Sequence, residues 1–190
     1  SHQYTLDSAA LLPVFDYAHY KKIYLHCFTE DGNLYCQEPL PEREIYFQRT
    51  GLYAKATDMQ ELLSSAQGGP VVKAMAIAEP EVLTKLEAKI RQLTGDAFYL
   101  TRSQYNFLEI LAHKANKGAG LTKVMALRNL KPSQVIAFGD GENDIPLLQA
   151  VDWPVAMAGG SPLLPLYALG TAPSADEDGL AQVLQALLYR

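Results

Sequence analysis

The residues with the most chemical potential form one string, Gly139-Asp140-Gly141-Glu142-Asn143-Asp144. It follows Val135-Ile136-Ala137-Phe138, a short run apolar on both faces, as in a buried parallel strand. It precedes a helix expected from about Ile145 to Ala150, with Pro146 in the first turn. Ligands of open α/β sheets bind at such strand ends. Gly139 and Gly141 permit backbone angles closed to other residues, so the chain can turn sharply and Asp140 and Asp144 can converge. Two close carboxylates repel unless a cation or a proton compensates. A hard divalent ion suits them, and Mg2+ takes one or two carboxylates plus substrate phosphate and water. Asn143 brings an amide that can donate to phosphate oxygens without adding negative charge. The helix behind it offers free backbone N–H groups to an anion. The competing reading is a plain strand–helix turn with Asp and Asn as caps. The glycine pair, the buried strand and the proline-marked helix together outweigh it. An EF-hand loop is excluded, because its further ligands and its twelfth-position Glu are missing.

Lys117, in Asn116-Lys117-Gly118, is the second element. It stands just before a helix and upstream of the strand, where a lysine can reach over the sheet end as a point charge for phosphate. Lys114 is its rival, and for either residue the bland reading is a solvated surface lysine.

The rest of the chain must position these groups. Residues 5–18 read as a helix, with Leu11, Leu12 and Phe15 on one stripe and Asp7-Ser8 as cap. Ile23 to Thr29 and Asn33 to Gln37 read as a hairpin about Asp31-Gly32. Residues 38–56, with Pro39 and Pro41, read as loop. Thr57-Asp58-Met59-Gln60 fits a capping box opening a short helix to Ala66, stopped by Gly68-Gly69-Pro70. A strand over 71–78 is followed by a helix from Pro80, with Val82, Leu83, Leu86, Ile90 and Leu93 at helical spacing and Gly95 as its stop. Two more strands are expected over 97–101 and 106–112. This order suggests an α+β sheet with helices on one face.

After Ala112 the pattern changes. Residues 113–120 read as a linker, and the next helix carries Leu121, Val124, Met125 and Leu127 on its apolar stripe. A strand over 154–157, a proline-interrupted helical segment over 162–169 and a helix near 178–189 follow. Strand–helix alternation implies a parallel α/β sheet. Two domains are therefore expected, 1–112 and 113–190.

Composition limits what such a protein can do. The chain has 190 residues, 48% of them hydrophobic and 19% charged, which fits a soluble globular protein with a sizeable core. A formal charge of −5 with no basic block argues against nucleic acid as a partner. No apolar run approaches the ~18 residues of a membrane span. The first residues show neither a basic nor an apolar leader region, so a cytoplasmic location is expected. Four histidines show no metal spacing, no Ser sits in a Gly-x-Ser-x-Gly elbow, and the eleven tyrosines are scattered along the chain. A two-residue turn at Asp31-Gly32 would set Cys27 directly opposite Cys36. Without a Cys-x-x-Cys motif or secretory context, the pair reads as two reduced, small apolar residues.

Four segments together are specific enough to carry a resemblance: Phe107-Leu108-Glu109-Ile110, Asn116-Lys117-Gly118, the run from Val135 to Asp144, and Asp176-Glu177-Asp178-Gly179-Leu180-Ala181. They resemble the haloacid dehalogenase superfamily, and within it the Cof-type phosphatases with a large α/β cap. Lys117 matches that family's third motif; Asp140, Asn143 and Asp144 match its fourth. The resemblance implies an α/β fold: an α+β cap over 1–112, and the C-terminal part of a Rossmann-like catalytic core over 113–190. It implies a Mg2+-dependent phosphatase acting on a small-molecule phosphate ester such as a sugar phosphate. An Asp carboxylate attacks and the aspartyl-phosphate is hydrolysed. Lys117, Asp140 and Asp144 would be catalytic. Asp140 would hold Mg2+, and Asp144 would hold a metal-bound water or order the loop. Lys117 would pair with nucleophile and phosphate. Asn143 would touch the phosphate or orient Lys117. The cap would close over the leaving group, with Arg102, Tyr105 and Asn106 as minor candidates for substrate contact.

The departures are equally specific. The family's first motif, Asp-x-Asp-x-Thr after an apolar strand, is absent from this sequence, as is a recognisable second-motif Ser or Thr. Asp176-Glu177-Asp178-Gly179 is no substitute, since no apolar strand is expected before it and Leu180 follows. Met157-Ala158-Gly159-Gly160-Ser161-Pro162 stands where relatives usually have Met-Gly-Asn. The chain is thus expected to be either a fragment of a longer phosphatase, which the absent initiator Met favours, or a truncated product. Its core strand at 135–138 would lack a neighbour on one side. A missing preceding segment, another chain as in a homo-oligomer, a swapped segment or a rearranged loop is expected to cover that edge. The alternatives are a catalytically inactive binding or assembly module and a related phosphomutase.

Overall fold

The computed structural model describes residues 4–65 and 69–189. The chain divides into two compact units, Ser1–Ala115 and Asn116–Arg190.

The first unit contains α1 (Ser8–Tyr20), β1 (Tyr24–Thr29), β2 (Leu34–Cys36), α2 (Pro41–Thr50), β3 (Lys55–Ala56), α3 (Met59–Ser65), β4 (Val71–Ile77), α4 (Pro80–Thr94), β5 (Phe98–Gln104) and β6 (Phe107–Ala112). Its six-stranded sheet runs β3-β2-β1-β4-β6-β5. All neighbours are antiparallel except β2 and β3. The main core joins one sheet face to α1, α3 and α4 through Leu11, Phe15, Met59, Leu83, Leu86 and Ile90. In α4, Leu83, Leu86 and Ile90 are buried at helical spacing, while Val82 and Leu93, expected on the same stripe, lie at its exposed margin.

Three expectations for this unit fail for local reasons. Residues 41–50 form α2, with Pro41 in the first turn and Gly51 as a left-handed C-cap. Pro41 was a start signal rather than a loop marker. Helices therefore occupy both sheet faces, because Tyr46 of α2 packs with Tyr24, Met75, Ile77 and Phe107 on the second face. In α3 the capping oxygen belongs to Asp58, which accepts the Gln60 and Glu61 amides at 2.8 and 3.1 Å. Ala66 and Gly68, expected as the end and stop of that helix, lie outside the described residues.

The hairpin register also differs. Thr29 N–H donates to Asn33 C=O at 3.0 Å, so the loop has three residues, Glu30-Asp31-Gly32, with Gly32 at φ +83°. One extra loop residue shifts the pairing by one, which sends a side chain to the other face. Cys36 therefore pairs with His26, and Cys27 with Tyr35. Cys27 joins the main core and Cys36 the second cluster, on opposite faces of the sheet. Both thiols are free and buried.

The second unit contains α5 (Lys117–Arg128), β7 (Ile136–Gly139), α6 (Ile145–Gln149), β8 (Trp153–Met157), β9 (Gly170–Ala172) and α7 (Gly179–Leu188). Its parallel sheet runs β7-β8-β9. Ala137, Leu148, Val151, Ala156 and Leu164 form its core. Residues 117–120, read as linker, are the first turn of α5. Met125 is buried and Leu121 packs on the core, whereas Val124 and Leu127 are exposed. The 162–169 segment reduces to a 3-10 turn at Leu164–Tyr167. The short strand β9, absent from the sequence reading, precedes Asp176-Glu177-Asp178-Gly179, but Gly170 and Thr171 are exposed and it is not an apolar strand. Among the described residues no helix is long and apolar enough to cross a membrane.

Candidate active site

The string at 139–144 turns directly off the carboxyl end of β7. A 3-10 turn at Glu142–Asp144 leads into α6. Gly139 and Gly141 are required for space and not for an unusual backbone angle: neither has a positive φ. A Cβ on Gly139 would lie 2.7 Å from the Asp144 Cβ, and one on Gly141 2.6 Å from the Asn143 Oδ1. The glycines thus let the Asp144 side chain fold back beneath its own loop.

That fold-back gives Asp144 three donors. Its Oδ2 accepts the backbone amides of Asp140 and Gly141 at 3.0 and 3.1 Å. Its Oδ1 accepts the Lys117 ammonium in an ion pair. Asp144 is buried, at 4% exposure, whereas the Lys117 side chain is half exposed. Burial works to raise the Asp144 carboxyl, but the Lys117 ammonium and the Gly141 and Asp140 amides outweigh it and hold the group below its ordinary value.

Lys117 is placed by two features of α5. The Asn116 side chain caps the helix by accepting the Ala119 amide at 2.9 Å. Gly118 is buried against the Pro146 carbonyl, with no room for a side chain. The resulting close contact of α5 and α6 carries Lys117 to Asp144. Lys114, the rival, falls in the first unit.

The two acids therefore sit in different environments. The Asp144 carboxylate is turned inward and fully engaged. The Asp140 carboxylate is exposed and has no hydrogen-bond or ion-pair partner among the described residues. Asn143 is half-buried beside it, and its side-chain amide is likewise unengaged. Asp140 also borders a groove of about 380 Å³, lined by Phe138, Gly139, Met157, Asp178 and Gly179. No three His, Cys, Asp or Glu side chains gather into a metal cage among the described residues. One exposed carboxylate with open surroundings nevertheless fits Mg2+, which keeps water and binds through one or two carboxylates and a phosphate. Sequence reasoning missed the contribution of the segment after β8: the Ser161 amide donates to the Asp140 carbonyl at 2.7 Å. Of the minor candidates, Arg102 is tied to Tyr105, Thr84 and Glu87 on the first unit.

A Streptococcus pyogenes protein provisionally named a phosphatase is 30% identical over 115 residues, which is 60% of this chain and 43% of that protein. Among solved structures, SMU.1108c from Streptococcus mutans superposes with a TM-score of 0.83 at 19% identity, covering 98% of this chain and 70% of that one. The subclass IIB sugar phosphatase BT4131 superposes with a TM-score of 0.82 at 17% identity, covering 96% and 67%. At these identities the structures establish the fold alone: an α+β unit followed by the C-terminal part of a Rossmann-like core. The chain spans less than half the length of the curated relatives it matches. The family model for haloacid dehalogenase-like hydrolases matches residues 1–184, and the chain belongs to that family.

Proposed function

We propose that the full gene product is a cytoplasmic, Mg2+-dependent phosphomonoesterase acting on small phosphorylated metabolites such as sugar phosphates. One observation carries this reading. Asp144 locks Lys117 to the turn after β7 and leaves the neighbouring Asp140 carboxylate free at the carboxyl edge of a parallel sheet. Family membership and the phosphatase names of its relatives support it.

In this proposal Asp140 holds Mg2+, which when bound neutralises phosphate charge. Lys117 spends one of its three N–H donors on Asp144 and turns the others toward phosphate. Asn143 donates its amide to a phosphate oxygen. Asp144 keeps the lysine in place and fixes the loop backbone. The attacking Asp carboxylate is not recognisable in this sequence. We assign it to a further strand pairing with β7, whose only strand neighbour among the described residues is β8. A longer gene product or a second chain would supply that strand.

The test is release of phosphate from p-nitrophenyl phosphate by the full gene product. Activity should require Mg2+, and Asp140→Asn should lower kcat at least ~100-fold. Unchanged turnover in that variant removes the metal assignment. Phosphate appearing on an acceptor, rather than free in solution, identifies a phosphomutase instead.

A further inference from the structure

The segment after β8 contacts the backbone of Asp140, whose amide is already held by Asp144. The chain leaves β8 at Met157 and turns at Gly159, with φ +79°. Gly160 then lies against the Asp140 backbone: a Cβ there would fall 2.5 Å from the Asp140 carbonyl oxygen and 2.9 Å from its Cα. These are backbone atoms, so no side chain can swing aside to make room. The next residue, Ser161, donates its amide to that same carbonyl at 2.7 Å. Ser161 is itself held in a turn, its carbonyl accepting the Leu164 amide at 3.1 Å.

We propose that Gly160 and Ser161 are positioning residues that set the direction of the Asp140 carboxylate toward a divalent cation; this rests on the functional reading above. The Asp140 N–H is held by the Asp144 carboxylate and its C=O by the Ser161 amide. Both ends of the residue are fixed and only the carboxylate is free. Preorganisation of this kind spares a metal site the cost of ordering its ligand on binding. Gly160-Ser161 accordingly acts here as a backbone clamp for the acid.

The experiment titrates the full gene product with Mg2+ and Mn2+ alone, by calorimetry, and follows backbone amide exchange by NMR with and without Mg2+. Gly160→Ala should weaken cation binding by at least about tenfold. Gly170→Ala, where a Cβ meets nothing within 4 Å among the described residues, should bind as the wild type does. In the unmodified protein the Ser161 amide should exchange slowly, and more slowly still with Mg2+, since coupling between clamp and site is reciprocal. A merely structural turn would not respond to the ion. A folded Gly160→Ala variant with wild-type affinity overturns the inference, as does a Ser161 amide indifferent to Mg2+; the latter decides the matter if the variant does not fold. Asp140→Asn separates the two failures. If it still binds the cation normally, the underlying functional reading falls as well. If it abolishes binding while Gly160→Ala does not weaken it, only the clamp falls.

Discussion

Lys117, the first residue of α5, is ion-paired to Asp144, the last residue of the turn that follows β7. The pair joins two elements of one unit, and the same Asp144 carboxylate holds the Asp140 amide. The carboxylate does more than pair a charge, because two backbone amides also depend on it. Asp144→Ala should therefore lower stability by about 2–3 kcal/mol, the cost of leaving those donors unsatisfied. Lys117→Met should cost under about 1 kcal/mol, since the lysine is half exposed and screened. Denaturant melts of both variants check the ratio; equal losses would contradict the division of labour.

Two glycines of α5 should respond in opposite ways to the same methyl group. A Cβ on Gly120 meets nothing within 4 Å among the described residues, and the residue is helical, so Gly120→Ala should stabilise by about 0.5–1 kcal/mol. Gly118 is buried against the Pro146 carbonyl, so Gly118→Ala must push α5 from α6 and should destabilise by about 1–3 kcal/mol. Thermal midpoints moving in the same direction would show that the contact of these helices is looser than described.

His26 should make the first unit sensitive to acid. It is fully buried among the rings of Tyr24, Phe28 and Tyr46, and neither ring nitrogen has a hydrogen-bond partner among the described residues. Burial, and then the charge of Lys73, push its pKa from 6.5 down to about 3. The unfolded chain thus binds a proton that the folded chain refuses. The stability concerned is fully present above pH 6.5 and declines as pH falls from 6.5 toward 3. Between pH 7 and pH 5 the loss is about 2 kcal/mol. Urea midpoints at both values should show that loss in the wild type and its absence in His26→Phe.

The two cysteines should be unable to form an internal disulfide, because they lie on opposite faces of the sheet. Burial, and then Cys36, push the Cys27 thiol up to about 12, and burial raises Cys36 too. A thiol reagent should label neither residue in the native protein and both in denaturant. Rapid labelling of Cys36 alone would mean that the α2 side of the sheet opens readily.

How far the sequence could be read depended on how local the governing contacts are. The turn at 139–144 was legible because its residues are contiguous and their chemistry is unusual. For Asp144 the resemblance offers loop ordering as one of two roles, and its inward direction was not legible, since it depends on space that Gly139 and Gly141 leave open beneath the loop. The cysteine register failed on a single residue: Asp31-Gly32 signals a tight turn, but the Asp31 carboxylate also accepts the Thr29 hydroxyl and the Asn33 amide and so stabilises a wider one. The helix α2 was hidden by prolines that also mark loops, and β9 by having only three residues, Gly170-Thr171-Ala172. The clamp at Gly160 and Ser161 joins residues about twenty positions apart, so no local pattern could announce it.

The most direct test of the proposed site is a crystal structure of the full gene product grown with Mg2+ and orthophosphate. The account requires an ion about 2.0–2.1 Å from an Asp140 carboxylate oxygen, with phosphate in reach of Lys117 and Asn143. An ion bound elsewhere, or phosphate lying away from Lys117 while Asp140 contacts only solvent, would contradict it.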